Sequence, residues 1–359
     1  MKAVFSAMQL GHAPSRFLSL GKIVDYPESP ERARVLLEGA RQAGAQVCAA
    51  RRFDVETFQT VHKPGYLNFL QSAHAGWREI EGAGAELMPS LREVLPAMVP
   101  PQHVIAKAGR FLMDFSCAIT EKTWTSVSAS AMTALTAADL LLKGEALTYA
   151  LCRPPGHHAY ANRASGFCYL NNTALAADLL RQNHERVAVL DIDVHHGNGT
   201  QAIFYRRPDV LTVSIHADPV SFYPYYWGGA GETGEGTGRD CNLNLPVEVG
   251  SGDDIWLGQL DLALQRINGY APGALVIALG LDAHESDPLR GGRVTQAGFA
   301  RLAEKIASLN LPTVIVQEGG YLTEHLSDNL AMFLSAFEGA HRPAVHDHAV
   351  EVPDPEPVS

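Results

Sequence analysis

Cysteine is scarce and unpaired in this 359-residue chain: five residues, at 48, 117, 152, 168 and 241, with no Cys-x-x-Cys among them. An odd, scattered set excludes a disulfide scaffold and points to a reduced, cytoplasmic protein. Positive charge is also in deficit. Lys and Arg total 28 against 39 Asp and Glu, a formal net charge of −11. Such a surface repels phosphates, so no nucleic-acid partner is expected and cationic small molecules are favoured. No uninterrupted apolar stretch reaches the roughly 18 residues of a membrane span. The opening "MKAVFSAMQLGHAPS" is too short and broken for a signal peptide. No internal repeat is visible.

What the chain does have is a series of short β-branched runs, each ending in polar residues. They are "ALTYALC" (146–152), "RVAVLDIDVHH" (186–196), "VLTVSIHAD" (210–218), "ALVIALGLDAH" (274–284) and "PTVIVQEGGY" (312–321). Hydrophobicity on both sides of each run predicts buried parallel strands. Helical patterns fall between them. Residues 29–44 begin with Ser29 as cap and Pro30 at the first helical position. Residues 295–310 begin with Thr295 as cap and set Phe299, Leu302, Ile306 and Leu309 on one face. Residues 171–183 and 252–267 also read as helices. Alternating strand and helix gives an α/β fold with a mostly parallel sheet between helical layers. Ligands of such sheets bind beyond the carboxyl ends of the strands, so the five polar ends predict one shared site. A single domain is expected over 1–340, with an inserted loop or lid, in part helical, at 75–110. The Pro-rich, acidic stretch 341–359 reads as a disordered tail.

"LDIDVHHGNGT" (190–200) carries the most information. Asp193 and His195 lie two apart at a strand end, so alternation points them the same way. Asp282 leaves another strand. One nitrogen and two carboxylates with an open position describe a catalytic zinc-type site. An isolated Asp-x-His is more often a loop cap; Asp282 and the His157–His158 pair tilt the balance to metal. Asp191 is a buried carboxylate in need of a partner. Either a histidine imidazole or a monovalent cation shared with Ser214 would serve, and the two are compatible.

"RPPGHHA", "GFCYLNN", "DIDVHHGNGT", "VSIHADP", "GLDAHESDPL" and "EGGY" follow one another in this order. In these motifs the chain resembles the zinc-dependent histone deacetylase and acetylpolyamine amidohydrolase group of the arginase/deacetylase superfamily. The likeness spans about residues 1 to 338. "VHKPGYLNFL" (61–70), the insert before "TW" (123–124) and "HADPVSFYPYYWGGAGETGEG" (216–236) bring it nearest to the acetylpolyamine amidohydrolases. The resemblance implies zinc, or iron in its place, on Asp193, His195 and Asp282. It makes His158 a general base and then general acid, bonded to Asn198. It makes His157 an electrostatic helper bonded to Asp191, and Tyr321 the donor to the substrate carbonyl. Some relatives carry Asp at the place of Asn198; with Asn, the pKa of His158 is expected to be less raised. Potassium is implied at Asp191, Asp193, His195, Ser214 and Ile215. Gly166, Phe167, Tyr223 and Leu289 are implied in the substrate tunnel.

The implied reaction is hydrolysis of an acetylated alkylamine, acetylpolyamine first and acetyl-lysine second. An arginase-like reading needs a carboxylate two residues after the ligand histidine, where Gly197 stands. A non-catalytic binder is disfavoured by the complete set of His157, His158, Tyr321 and three ligands. Polyamine-type relatives place acidic residues in the insert; the matching positions here are Ile105 and Ser116, with Asp114 and Glu93 as nearby substitutes. The insert also implies a homodimer. His216 and Asp218 are expected just past the strand of Ser214, with a loop role set evenly against a functional one.

Overall fold

The five strand-like runs become neighbours in one sheet of the computed structural model, which describes residues 1–93 and 99–343. In chain order the strands are β1 (Lys2–Phe5), β2 (Arg16–Ser19), β3 (Lys22–Asp25), β4 (Gln46–Ala49), β5 (Leu147–Ala150), β6 (Val187–Asp191), β7 (Val210–Ala217), β8 (Asn242–Val247), β9 (Ala274–Leu279) and β10 (Thr313–Gln317). The helices are α1 (Pro30–Gln42), α2 (Val55–Phe58), α3 (Pro64–Arg78), α4 (Val104–Phe111), α5 (Thr123–Leu142), α6 (Asn172–Leu180), α7 (Asn198–Phe204), α8 (Asp253–Tyr270), α9 (Gln296–Ala307) and α10 (Leu326–Ala340). The main sheet runs β4-β1-β5-β10-β9-β6-β7-β8, and every pairing is parallel. Strands β2 and β3 form a separate antiparallel hairpin.

The predicted runs are β5, β10, β9, β6 and β7, the contiguous centre of the sheet. Their residues are almost all buried on both faces, as parallel strands covered by helices must be. Alternation divides them between two cores. Ala188 and Leu190 pack with residues of α1, α8, α9 and α10, while Val187 and Val189 pack with α3, α5 and α6. The unpredicted β1, β4 and β8 lie at or near the edges. Strand β4 has three exposed residues and one partly buried, Cys48, over only four positions, too short a pattern to stand out.

Helix α9 starts as expected: the Thr295 hydroxyl accepts from the Gly298 amide at 3.0 Å. Leu309 lies just past its end and is partly buried against the same core. At α1 the start is right but the cap is not, because the Ser29 hydroxyl makes no hydrogen bond. No uninterrupted apolar run reaches the length of a membrane span, although one helix has that length with polar residues in it. Helix α5 has 20 residues with a mean hydropathy of 1.2 over its best window, and 72% of that window is buried. It is a core helix packed on the sheet beside α6, and its small and apolar residues run round most of its surface because it is covered on most sides.

The region 75–110 is part-helical, as the sequence allows. It starts in the last turn of α3 and ends inside α4, and Leu87 pairs across to Ile119; residues 94–98 lie outside those described. Most of the expected tail, with His346 and His348, lies outside them too. His341 does not belong to a tail. It is buried, and its Nε2 donates to the Leu311 carbonyl at 2.7 Å.

Candidate active site

Loops leaving β5, β6, β9 and β10 meet at the carboxyl edge of the sheet. Asp193, His195 and Asp282 are all buried there, and one donor atom of each lies within 4.8 Å of the others. His195 Nδ1 faces Asp193 Oδ1 at 3.0 Å and Asp282 Oδ2 at 3.3 Å. Burial disfavours a charge on His195, but the two carboxylates outweigh it and raise its pKa to about 9. Positive charge is therefore drawn to this point. Asp282 Oδ2 is buried and makes no hydrogen bond. A buried carboxylate oxygen that faces the His195 nitrogen at 3.3 Å but makes no hydrogen bond calls for another partner. Two hard oxygens and an imidazole nitrogen suit a divalent ion of the zinc type, so the residues fit the metal implied by the sequence.

His157 and His158 follow the "RPPG" turn after β5. His157 Nδ1 donates to Asp191 Oδ2 at 2.9 Å, which settles which partner Asp191 holds on that oxygen. Burial lowers the His157 pKa, but Asp193 and Asp191 overcome it and bring it to about 10. His158 Nδ1 meets Asn198 Oδ1 at 2.6 Å. Burial, together with His157 and His195, pushes the His158 pKa well below the usual histidine value. It is lowered, then, and not merely less raised. The two rings, with centroids 4.0 Å apart, are thus pushed in opposite directions, His157 toward the cation and His158 toward the neutral imidazole.

Glu318 has no role in the sequence reading, yet it joins two loops of the site. One of its oxygens accepts from the Gly156 and His157 amides at 2.6 and 2.9 Å, and the other accepts from the Thr173 hydroxyl. Its sequence signal was a carboxylate standing directly after a fully buried strand. Arg32, from α1, was also missed. Its guanidinium donates to the carbonyls of Gly320 and Glu318 and lies 4.8 Å from the Tyr321 ring centroid. Glu28 stands between Arg32 and Arg153, at 2.9 and 2.8 Å. This buried cluster holds the "EGGY" loop against the "RPPG" turn. The Tyr321 amide donates to Asp287, and burial drives the Tyr321 hydroxyl pKa well above its ordinary value.

A cavity of about 400 Å³ opens onto these groups. Gly166, Phe167, Tyr223 and Leu289 line it as expected, and Phe17, Leu20 and Tyr225 extend it outward. Phe222 stacks on His195 with an interplanar angle of 19°. Of the insert candidates, Asp114 and Ser116 line the cavity, whereas Ile105 is not among its lining residues. Glu93 pairs with Arg110 at 2.6 Å instead.

The potassium candidates are placed around β6 and β7. Asp191 and Ser214 are register partners across these strands, and Ile215 is fully buried. The Ser214 hydroxyl also meets His216 Nδ1 at 2.8 Å. His216 is no loop residue: it lies in β7, and its Nε2 donates to the Gly228 carbonyl. Asp218 does serve the following turn, accepting from the Val220 amide.

Residues 26–337 match the family model described as "Histone deacetylase domain". The chain is 44% identical over 338 residues to an acetylpolyamine amidohydrolase of Burkholderia pseudomallei, covering 94% of this chain and 98% of that one. It is 42% identical over 350 residues to acetylpolyamine amidohydrolase 1 of Pseudomonas aeruginosa, covering 95% and 100%. A crystal structure of acetylpolyamine aminohydrolase from Burkholderia pseudomallei superposes with a TM-score of 0.93 at 43% identity, over 95% of this chain and 100% of that one. With the fold, the converging donors and these likenesses in agreement, the chain belongs to the metal-dependent histone deacetylase domain family.

Proposed function

We propose that this protein hydrolyses acetylated alkylamines, acetylpolyamines first, to acetate and the free amine. The carrying observation is the convergence of Asp193, His195 and Asp282 with His157, His158 and Tyr321 at the floor of one aromatic-walled cavity. The names of the relatives at about 40% identity support the substrate class. Asp193, His195 and Asp282 would hold zinc, or iron in its place; when bound, it supplies Lewis acidity toward the amide carbonyl and toward water.

The chain's own groups do the rest. Asn198 Oδ1 accepts the His158 Nδ1 proton, so the Nε2 lone pair is free to take a proton from the attacking water. His157, kept cationic by Asp191, stabilises the negative charge that develops nearby. Tyr321 stays protonated and donates to the carbonyl oxygen. The leaving amine then takes its proton from a histidine. Phe167 and Tyr223 fit a slim methylene chain and exclude water. Potassium near Asp191, Asp193, His195, Ser214 and Ile215 belongs to the same proposal, supported by the buried pairing of Asp191 with Ser214. So does a homodimer through residues 75–110, where Leu91 and Val99 are exposed; solution mass checks it.

The test is a substrate panel with the metal-loaded protein. Acetylputrescine, acetylcadaverine and acetylspermidine are expected to outperform an acetyl-lysine peptide in kcat/KM. The reverse order would transfer the activity to acetyl-lysine. The proton assignment has its own test. Asn198→Asp would place a carboxylate at the His158 Nδ1 proton and favour the imidazolium, raising the His158 pKa. Because the base must be neutral, the acid limb of the kcat/KM profile is expected to move to higher pH by about one unit. An acid limb that stays in place would remove His158 from the role of base.

A further inference from the structure

Asp114 is the carboxylate at the tunnel mouth, and its acceptor capacity is already used. Oδ1 accepts from the Ser116 amide at 2.9 Å and from the Ser116 hydroxyl. Oδ2 accepts from the Tyr223 hydroxyl at 2.7 Å, the Gly166 amide at 3.1 Å and the Ser165 hydroxyl at 3.1 Å. A carboxylate offers about four lone-pair positions, and five protein donors converge on this one. The Ser116 hydroxyl oxygen also accepts from the Phe167 amide at 3.1 Å. The segment Asp114–Ser116 thus grips the Tyr223 wall by its hydroxyl and the Phe167 wall by its backbone.

The grip falls where the backbone needs it. Gly166 and Phe167 both lie in the left-handed region, with φ of 54° and 66°. That conformation is disfavoured for a phenylalanine. Gly166 has no room to move toward the catalytic groups, since a Cβ there would stand 2.3 Å from the His158 ring. The turn itself supplies no acceptor for the Gly166 and Phe167 amides, so Asp114 and Ser116 accept from them, hold the turn and aim the Phe167 ring into the tunnel.

We propose that Asp114 is a positioning residue that clasps the two aromatic walls of the tunnel, and that it does not receive a substrate's distal ammonium. The proposal rests on the deacetylase reading above and sharpens its substrate class. Selection at this depth acts on the width and length of the alkyl chain and not on its far charge. Neutral N-acetylalkylamines of matching length are then substrates alongside the cationic ones.

The experiment compares N-acetylputrescine with the neutral N-acetylbutylamine on the full-length, metal-loaded protein. Asp114→Asn is expected to raise KM about tenfold for both, the scale of a lost charge-assisted hydrogen bond. The ratio of kcat/KM between the two substrates should stay as in the unaltered protein. Tyr223→Phe should raise KM by less, and the double variant should add little to Asp114→Asn alone. A loss confined to N-acetylputrescine would overturn the proposal and make Asp114 an ammonium receptor.

Amide hydrogen exchange supplies a readout that needs no turnover. In Asp114→Ala the Gly166 and Phe167 amides should exchange at least about tenfold faster, with the strands β5, β6, β9 and β10 unchanged as evidence of an intact fold. Unaltered exchange at Gly166 and Phe167 would overturn the clasp whatever the protein hydrolyses. Lack of turnover of every acetylated amine by the unaltered protein, with faster exchange in the variant, would instead sink the deacetylase reading and leave the clasp standing.

Discussion

Replacing Tyr321 with phenylalanine is expected to lower kcat by about 10²–10³-fold while KM and metal content stay near their original values. The magnitude is that of removing one donor aimed at a developing oxyanion. The change is clean because the ring is not held by its hydroxyl. The Tyr321 amide is bonded to Asp287, the ring rests against the Arg32 guanidinium, and Arg32 fixes the carbonyls on either side of Gly319. Phenylalanine inherits all of these contacts. Burial keeps the tyrosine hydroxyl protonated across the working range, so the loss should be the same at every pH tested. Steady-state kinetics with elemental analysis of the same sample reads the result, and near-normal turnover would remove Tyr321 from the reaction.

Gly319→Ala is expected to weaken metal binding by about 10–100-fold, the usual cost of disturbing groups around a metal ligand. A Cβ at this position would stand 2.0 Å from Asp282 Oδ2 and 2.5 Å from Asp193 Oδ2. Real side chains do not approach so closely, so the carboxylates or the loop must shift. The loop is poorly placed to yield. The Gly319 amide donates to Asp193 Oδ2 at 2.8 Å, and Arg32 holds the carbonyls of Glu318 and Gly320. The ligands therefore move. Competition with a chelator measures the affinity, and added zinc should restore part of the lost activity. Gly258→Ala, on the exposed side of α8 with nothing within 4 Å of the new Cβ, is the control and should change neither quantity. An undisturbed metal affinity in Gly319→Ala would mean that the ion is not held by Asp193 and Asp282.

The active-site residues stood out through local patterns that survive folding unchanged. A run such as "RVAVLDID" is apolar on both faces, so it is a central strand, and the residues after it must emerge at the sheet edge. Asp193, His195, Asp282, His157, His158 and Tyr321 all follow such runs, and the resemblance to the deacetylase family supplied their roles. Helix α5 was not, because a helix covered on most sides loses the 3.6-residue stripe that marks an amphipathic one. Strands β1, β4 and β8 were not, because their short exposed or mixed patterns carry little periodic signal.

By itself, the sequence determined at which end of the sheet the polar groups meet, and its resemblance to the deacetylase family implied which of them bind and which move protons. The meeting place depends on strand and turn spacing over a dozen positions. The tertiary structure alone decided how those groups are charged and held. Whether His158 is neutral depends on burial beside His157 and His195. Whether the Asp114 carboxylate is free for a ligand depends on donors 51, 52 and 109 positions away along the chain. A hydrogen-bond acceptor has few places to fill, and only the folded chain shows which residues fill them.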